Sequence, residues 1–433
     1  MKADPVGPGQ EVTLEVHGIS STGAGVGRLP DGRVAFIHGT GPGERIRAEI
    51  DRVKKRWVSG RLLEVVTPGP YRRPPPCPFQ GKCGGCPLEH LTYEGQLKAK
   101  EGRIRDALER IGGLSDLPGF QIHPSPRELR YRNRVTFTLL RLQGPDRIVA
   151  GFHALDDPGR VMDVDGRCLL PEEVIGQVWD GLREAWGPGA SRLPAGRRLR
   201  LTLRATRDGE VLLLVEGGRG TGVPEELLQA LPALVAIWHR QTPSSELELL
   251  GGEPELEEVW FGEEVAVRPD AFLQVNRDGA EELHALALRE MGAPRGRRVI
   301  DAYCGMGVYG RRLCRHGAQV VGIELDPGAV AMAREGAPQG FSVLEGRVED
   351  CLAEVLPADL VILNPPRAGT DPAVMHALSD SQVPRIVYVS CDPATLARDL
   401  ARLGSNYDLT RIQAFDLFPQ TAHVETVVTL DRS

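Results

Sequence analysis

The stretch that most limits what this chain can fold into is Arg298 to Glu324, RVIDAYCGMGVYGRRLCRHGAQVVGIE. It reads as a strand, a glycine turn, a helix and a second strand. Val299 and Ile300 favour extended backbone and lead into Asp301. Gly305, Gly307 and Gly310 then give the G-x-G-x-x-G spacing that lets backbone come close to a ligand. The apolar run Ala318 to Ile323 brings the chain back to Glu324, 19 residues past Gly305, where a carboxylate can accept hydrogen bonds from a ribose diol. The pattern favours a nucleotide-like cofactor over a turn with no ligand. It leaves a dinucleotide and S-adenosylmethionine both open.

From about residue 280 to about 400 the chain alternates helix and strand, the pattern of a doubly wound parallel sheet. Ligands bind beyond the carboxyl ends of such strands, so what each strand ends on is informative. The expected ends are Asp301-Ala302-Tyr303, Glu324, Asn364-Pro365-Pro366-Arg367 and Ser390-Cys391-Asp392-Pro393. Four polar or reactive ends point to one site. Cys391 follows the apolar IVYV and precedes a helix, whose N-terminal dipole is expected to lower its thiol pKa; it reads as a nucleophile rather than an inert core cysteine. Cys304 is expected beneath the cofactor, with Cys314 and Cys351 as packing residues.

At 433 residues the chain is too long for one core. Its net charge of −7 argues against a uniformly basic coat, yet Arg45 to Arg73 holds nine Lys or Arg against three acids, and Arg192 to Arg207 holds six arginines and no acid. Such stretches can follow phosphates or form solvated strand faces. No apolar run reaches the roughly 18 residues of a membrane span, and MKADPVGPGQ lacks the apolar core of a signal peptide. A cytoplasmic protein with no membrane association is expected, and no obligate protein partner is evident.

Residues 1–66 read as a small barrel of five short strands with basic residues interleaved, of the oligonucleotide-binding kind. Trp57, beside Lys54, Lys55 and Arg56, is either a base-stacking residue or a core residue. A proline-stiffened linker follows, and then Cys77, Cys83 and Cys86 in C-x5-C-x2-C spacing. Three thiolates this close need a fourth ligand, for which Cys168 is the best candidate and His90 the fallback. An iron–sulfur cluster and structural zinc both suit such a set. Residues 67–270 are expected to form a central α+β domain around this site, and 271–433 the catalytic domain.

In combination, FLQVN at 272–276, DAYCGMG at 301–307, GIE at 322–324, NPPRAG at 364–369, SCDPATLARDL at 390–400 and FPQTAHVE at 418–425 resemble the successive motifs of the S-adenosylmethionine-dependent RNA uracil-C5 methyltransferases. The barrel resembles their TRAM domain, and the cysteine set their [4Fe–4S] site. The likeness covers nearly the whole chain. It implies a Rossmann-like methyltransferase domain, Cys391 as nucleophile and Glu425 as general base. It also implies cofactor contacts at Gln274, Tyr303, Glu324 and Asn364, and cluster ligands at Cys77, Cys83, Cys86 and Cys168. The TRAM-like barrel together with the cluster resembles the 23S ribosomal RNA branch, so 23S rRNA is the expected substrate, with transfer RNA the alternative. The chain departs from some members at Val308, where Asn often stands, at Asn364, where many have Asp, and at Asp392, where Asn is common. Three rivals fit less well. A cytosine-C5 methyltransferase needs a cysteine beside Pro365-Pro366, a nicotinamide enzyme leaves Cys391 and Glu425 without roles, and a non-catalytic RNA-binding protein predicts no methyl transfer.

Overall fold

The computed structural model describes residues 6–144, 146–254, 256–260, 263–267, 269 and 273–433. Phe272 of the FLQVN motif and the expected boundary at 270/271 lie outside these residues. The described chain divides into two compact units, one built from Met1–Gln96, Pro126–Arg277 and Pro419–Ala422, the other from Leu97–Ser125, Asp278–Phe418 and His423–Ser433.

In the first unit, strands β1 (Glu11–Ile19), β2 (Gly25–Arg28), β3 (Val34–Ile37), β4 (Arg45–Val53) and β5 (Trp57–Thr67) close into a barrel of order β1-β2-β3-β5-β4. The alternation of EVTLEVHGI and RIRAEIDRV turns Leu14, Val16, Ile46, Ala48 and Ile50 inward, where they pack with Ile37 and Val58. Closure depends on Gly60, where an added Cβ would sit 2.1 Å from the Glu49 carbonyl oxygen. Trp57 is half-buried, its ring edge-on to Phe36 at 6.1 Å.

Beyond the barrel, β7 (Arg134–Arg141), β8 (Ile148–Gly151), β9 (Arg198–Ala205), β10 (Val211–Glu216), β11 (Leu234–Arg240) and β12 (Glu248–Gly252) form a sheet of order β12-β11-β10-β9-β7-β8. The amphipathic helix Glu173–Ala185 covers it, stacking Trp179 on Phe137 with ring centroids 4.0 Å apart. A hairpin, β13 (Leu256–Trp260) with β14 (Glu263–Val267), completes the strands of this unit.

The second unit holds an eight-stranded sheet. Its strands are β6 (Ile122–His123), β15 (Arg298–Ala302), β16 (Gln319–Glu324), β17 (Phe341–Glu345), β18 (Leu360–Leu363), β19 (Arg385–Ser390), β20 (Tyr407–Phe415) and β21 (Glu425–Arg432). Their order is β17-β16-β15-β18-β19-β21-β20-β6. Strands β15 to β19 run parallel, as their near-continuous Val, Ile and Leu content demands of strands covered on both faces. Strand β21 enters antiparallel between β19 and β20. Helix Tyr93–Arg110, although it precedes the parallel strands by some 190 residues, packs Ile104 and Leu108 into the same core as Leu396 and Leu400. Among the described residues no helix is long and apolar enough to cross a membrane.

A Gly60→Ala exchange is expected to destabilise the barrel by about 1–3 kcal/mol through overpacking against the Glu49 carbonyl, read as a lower urea midpoint by tryptophan fluorescence.

Candidate active site

Register sets out the site. Ala302 pairs with Ile323 and with Leu363, Leu363 with Tyr388, and Ser390 with Thr426. The carboxyl ends of β16, β15, β18 and β19 and the amino end of β21 therefore share one edge of one sheet, and along it stand Glu324, Tyr303, Asn364, Cys391 and Glu425 in that spatial order. Adjacent strands lie about 4.8 Å apart, so Glu324 is some three such steps from Cys391. Cys391 comes one residue past the Ser390–Thr426 pair, which sets it opposite Glu425, and directly opposed residues of an antiparallel pair share a face.

The glycine turn is built from both sides. Gly307 (φ +82°) and Gly310 leave room for the Phe341 ring, which an added Cβ would meet at 2.6 and 2.4 Å. Gly305 (φ +55°) differs, since a Cβ there would meet nothing within 4 Å. Its freedom serves the turn and leaves open space above it. Tyr303 holds a left-handed φ of +63° without being glycine, a strained geometry that concentrates at functional sites. Burial pushes its phenol pKa up. Glu324 accepts the N–H groups of Gly305 (2.9 Å), Leu325 (2.8 Å) and Asp326 (2.8 Å). Its half-exposed carboxylate thus fixes the turn to the end of β16 and keeps one of about four lone-pair sites for a further donor. The Asn364 N–H donates to the Ala302 carbonyl at 3.3 Å.

Cys391 is half-buried. Its thiol does not have the lowered pKa that the helix dipole suggests. Burial, then the Glu425 charge, and then Asp392 raise it to about 11 against the opposing effect of Arg367. The Asp392 carboxylate, a smaller contributor, caps helix Pro393–Leu403, accepting the N–H groups of Ala394 (2.8 Å) and Thr395 (3.2 Å), and so occupies the positive helix end itself. Glu425 is buried, and burial raises its carboxyl to about 7, again opposed by Arg367.

A tRNA (Uracil-5-)-methyltransferase family model matches residues 346–433, a TRAM domain model residues 5–63, and a methyltransferase small domain model residues 264–381. An uncharacterised RNA methyltransferase of Gloeobacter violaceus is 34% identical over 461 residues, covering 100% of both chains, and one of Thermosynechococcus vestitus is 35% identical, covering 98% of this chain and 99% of its own. The crystal structure of Pyrococcus abyssi tRNA (uracil-54, C5)-methyltransferase in complex with S-adenosyl-L-homocysteine superposes with a TM-score of 0.75 at 26% identity, covering 97% of this chain and 100% of that one. The chain belongs to the S-adenosylmethionine-dependent RNA uracil-5-methyltransferase family.

In this methyltransferase, Gln274 stands in the first unit, where its carbonyl accepts from Asn133 Nδ2 at 3.2 Å. Cys77, Cys83, Cys86 and Cys168 are also there, all free thiols lining one small cavity with Glu89 and Phe79. Burial raises every one of the four, Cys168 to about 12, and neighbouring thiols raise Cys83, Cys86 and Cys168 further. Backbone N–H groups aim at the sulfurs, with Gly85 donating to Cys83 Sγ at 3.4 Å. As the side chains stand, no group of three or more His, Cys, Asp or Glu among the described residues is arranged as a metal-ligand set.

Two residues that the sequence names only as parts of strand ends, with no role attached, neighbour the site. Asp301, at the base of the glycine turn, is fully buried; its Oδ2 accepts the Gly310 N–H at 3.0 Å, and burial lifts its pKa to about 7. Arg367, on the loop after β18, opposes the raised pKa of both Cys391 and Glu425. An acid two residues before the turn and the arginine closing NPPR are the signals that mark them.

The Glu425 proton is held more tightly folded than unfolded. Its stabilising contribution is full below about pH 4.5 and is lost as pH rises through about 7. Raising the pH from 5 to 8 should therefore lower the melting temperature of the wild type more than that of Glu425→Gln, as followed by calorimetry.

Proposed function

We propose that this methyltransferase transfers the methyl group of S-adenosylmethionine to C5 of a uridine in 23S ribosomal RNA through a covalent bond between Cys391 and C6. One observation carries the reading. Ser390 pairs with Thr426 across β19 and β21, so the adjoining residue on each side, Cys391 and Glu425, falls on the edge that also bears Tyr303, Glu324 and Asn364.

Uracil C5 is a poor nucleophile. Addition of the Cys391 thiolate to C6 converts the ring to an enolate, whose C5 attacks the sulfonium methyl and releases S-adenosylhomocysteine. Glu425 then takes the C5 proton, and the electrons of the broken C5–H bond re-form the C5–C6 double bond as the sulfur leaves. The electrostatics suit this order, since two neighbouring anions disfavour each other and the pair holds one negative charge more readily than two. Sulfur addition removes the thiolate charge, so Glu425 ionises more easily at the step that needs a base. Tyr303, Glu324, Asn364 and Gln274 are the proposed cofactor contacts. The target base must leave its stack, and the TRAM barrel with its basic strands supplies a surface for the flanking RNA.

The presence of the barrel together with the cysteine set supports the ribosomal substrate. Transfer RNA is the second reading, favoured by the similarity to the Pyrococcus abyssi enzyme, which acts on uracil-54 of tRNA. Cys77, Cys83, Cys86 and Cys168 are proposed to hold a [4Fe–4S] cluster. Their buried, mutually repelling thiols would need a positive centre to ionise, and the N–H groups directed at sulfur suit thiolate ligands. Structural zinc is the alternative for the same four thiols.

Cys391→Ala should abolish methyl transfer to RNA while leaving S-adenosylmethionine affinity within about twofold by calorimetry, because uniform binding is untouched. Glu425→Gln should accumulate a slow-migrating protein–RNA species on a denaturing gel, and its absence would place the base elsewhere. Mass-spectrometric mapping of 5-methyluridine in ribosomal and transfer RNA, with and without the gene, decides between the two substrates. The purified protein should absorb near ~400 nm and lose its iron in Cys86→Ser; a colourless protein with stoichiometric zinc would replace the cluster.

A further inference from the structure

Helix Tyr93–Arg110 carries two cations on its inward side. Lys100 is fully buried, its Nζ donating to Asp416 Oδ1 at 2.6 Å and to the Phe418 carbonyl at 3.1 Å. Three residues on, and so on the same face, Arg103 donates from Nη2 to Asp392 Oδ2 at 3.0 Å, with only 11% of its own side chain exposed. The helix is held in place by Ile104 and Leu108 in the core and by Gly112, where an added Cβ would lie 3.3 Å from the Ala397 carbonyl oxygen.

Asp392 is tied on every side. Its Oδ1 caps helix Pro393–Leu403, its backbone carbonyl accepts the hydroxyls of Ser390 (3.1 Å) and Thr395 (3.0 Å), and its Oδ2 takes Arg103. The peptide that carries Cys391 lies between these anchors. The charged groups facing the thiol are Glu425 from β21, Arg367 from the loop after β18 and Asp392 from its own turn. Arg103 reaches it through Asp392.

We propose that Arg103 is a positioning residue for Cys391, holding the nucleophile turn through Asp392 and offsetting the charge that Asp392 presents to the thiol. The proposal rests on the assignment of Cys391 as nucleophile. A helix drawn from far upstream in the chain thereby sets both the direction and the ionisation of the reacting sulfur. Asp392 caps the helix with its Oδ1, and the arginine on Oδ2 offsets the charge that this cap brings beside the thiolate.

The test is the pH dependence of iodoacetamide alkylation at Cys391, followed by mass spectrometry of its peptide in the full-length protein. Arg103→Ala should move the alkylation midpoint up by about one pH unit, because Asp392 is left uncompensated. Methyl transfer should fall about tenfold or more, with S-adenosylmethionine affinity and melting temperature little changed. Arg103→Lys should recover most of both, and adding Asp392→Asn to Arg103→Ala should bring the midpoint back down. If Arg103→Ala does not fold, Arg103→Gln keeps the donors, removes the charge and should show the same upward shift. An unshifted midpoint in a folded charge-removing variant overturns the proposal. A wild type that transfers no methyl to any RNA overturns the nucleophile assignment instead, and leaves the alkylation comparison measurable.

Discussion

The site depends on the antiparallel entry of β21 between β19 and β20. A purely parallel sheet presents only carboxyl ends along its ligand edge, and a carboxylate at the start of a strand would fall on the opposite side. Because β21 runs the other way, its first residue, Glu425, reaches the same edge as Cys391, and the Ser390–Thr426 register sets the two face to face. Two acidic groups are thus set about one strand spacing apart in a partly buried place, where burial raises both and the Glu425 charge raises Cys391 further. That cost persists because the surrounding structure holds it. Hydrogen-bonded strands lie on both sides, Asp392 is tied at the turn, and Arg367 supplies a positive charge nearby.

The cofactor half of the edge follows a different logic, in which fixed hydrogen bonds shape an opening. Glu324 binds three backbone N–H groups, Asp301 binds the Gly310 N–H from beneath, and Phe341 fills the space that Gly307 and Gly310 vacate. Only Gly305 borders open space. The turn is therefore rigid on three sides and accessible on one, which suits a ligand that must be held without rearrangement of the protein.

The parts of this arrangement carried by local pattern were legible in the sequence. The period of the strands, the glycine spacing and the polar strand ends Tyr303, Glu324, Asn364 and Cys391 announce a doubly wound sheet with its polar groups along one edge. The closed barrel follows from its alternation and turns. Glu425 could be singled out only through resemblance to a family, because nothing near it in sequence tells a catalytic acid from a surface one; it takes the β19–β21 pairing to bring it to the edge. The raised thiol pKa of Cys391 runs against the helix-dipole expectation because burial and the Glu425 charge, neither visible in local sequence, outweigh the dipole, and Asp392 occupies the helix end as its cap. Arg103 and Lys100 were invisible, since an amphipathic helix gives no sign of which charges it will bury or which acids, some 290 and 316 residues away, will meet them.

Ionisation and geometry at one sulfur are the centre of this account, and the most direct measurement is peptide mapping after incubation with S-adenosylmethionine and ribosomal RNA transcribed with 5-fluorouridine. Fluorine at C5 cannot leave as a proton does, so the bond to C6 persists once the methyl group has been transferred. The account predicts a methylated fluorouridine adduct on the peptide bearing Cys391. An adduct on any other residue, or methyl transfer with no adduct at all, would contradict it.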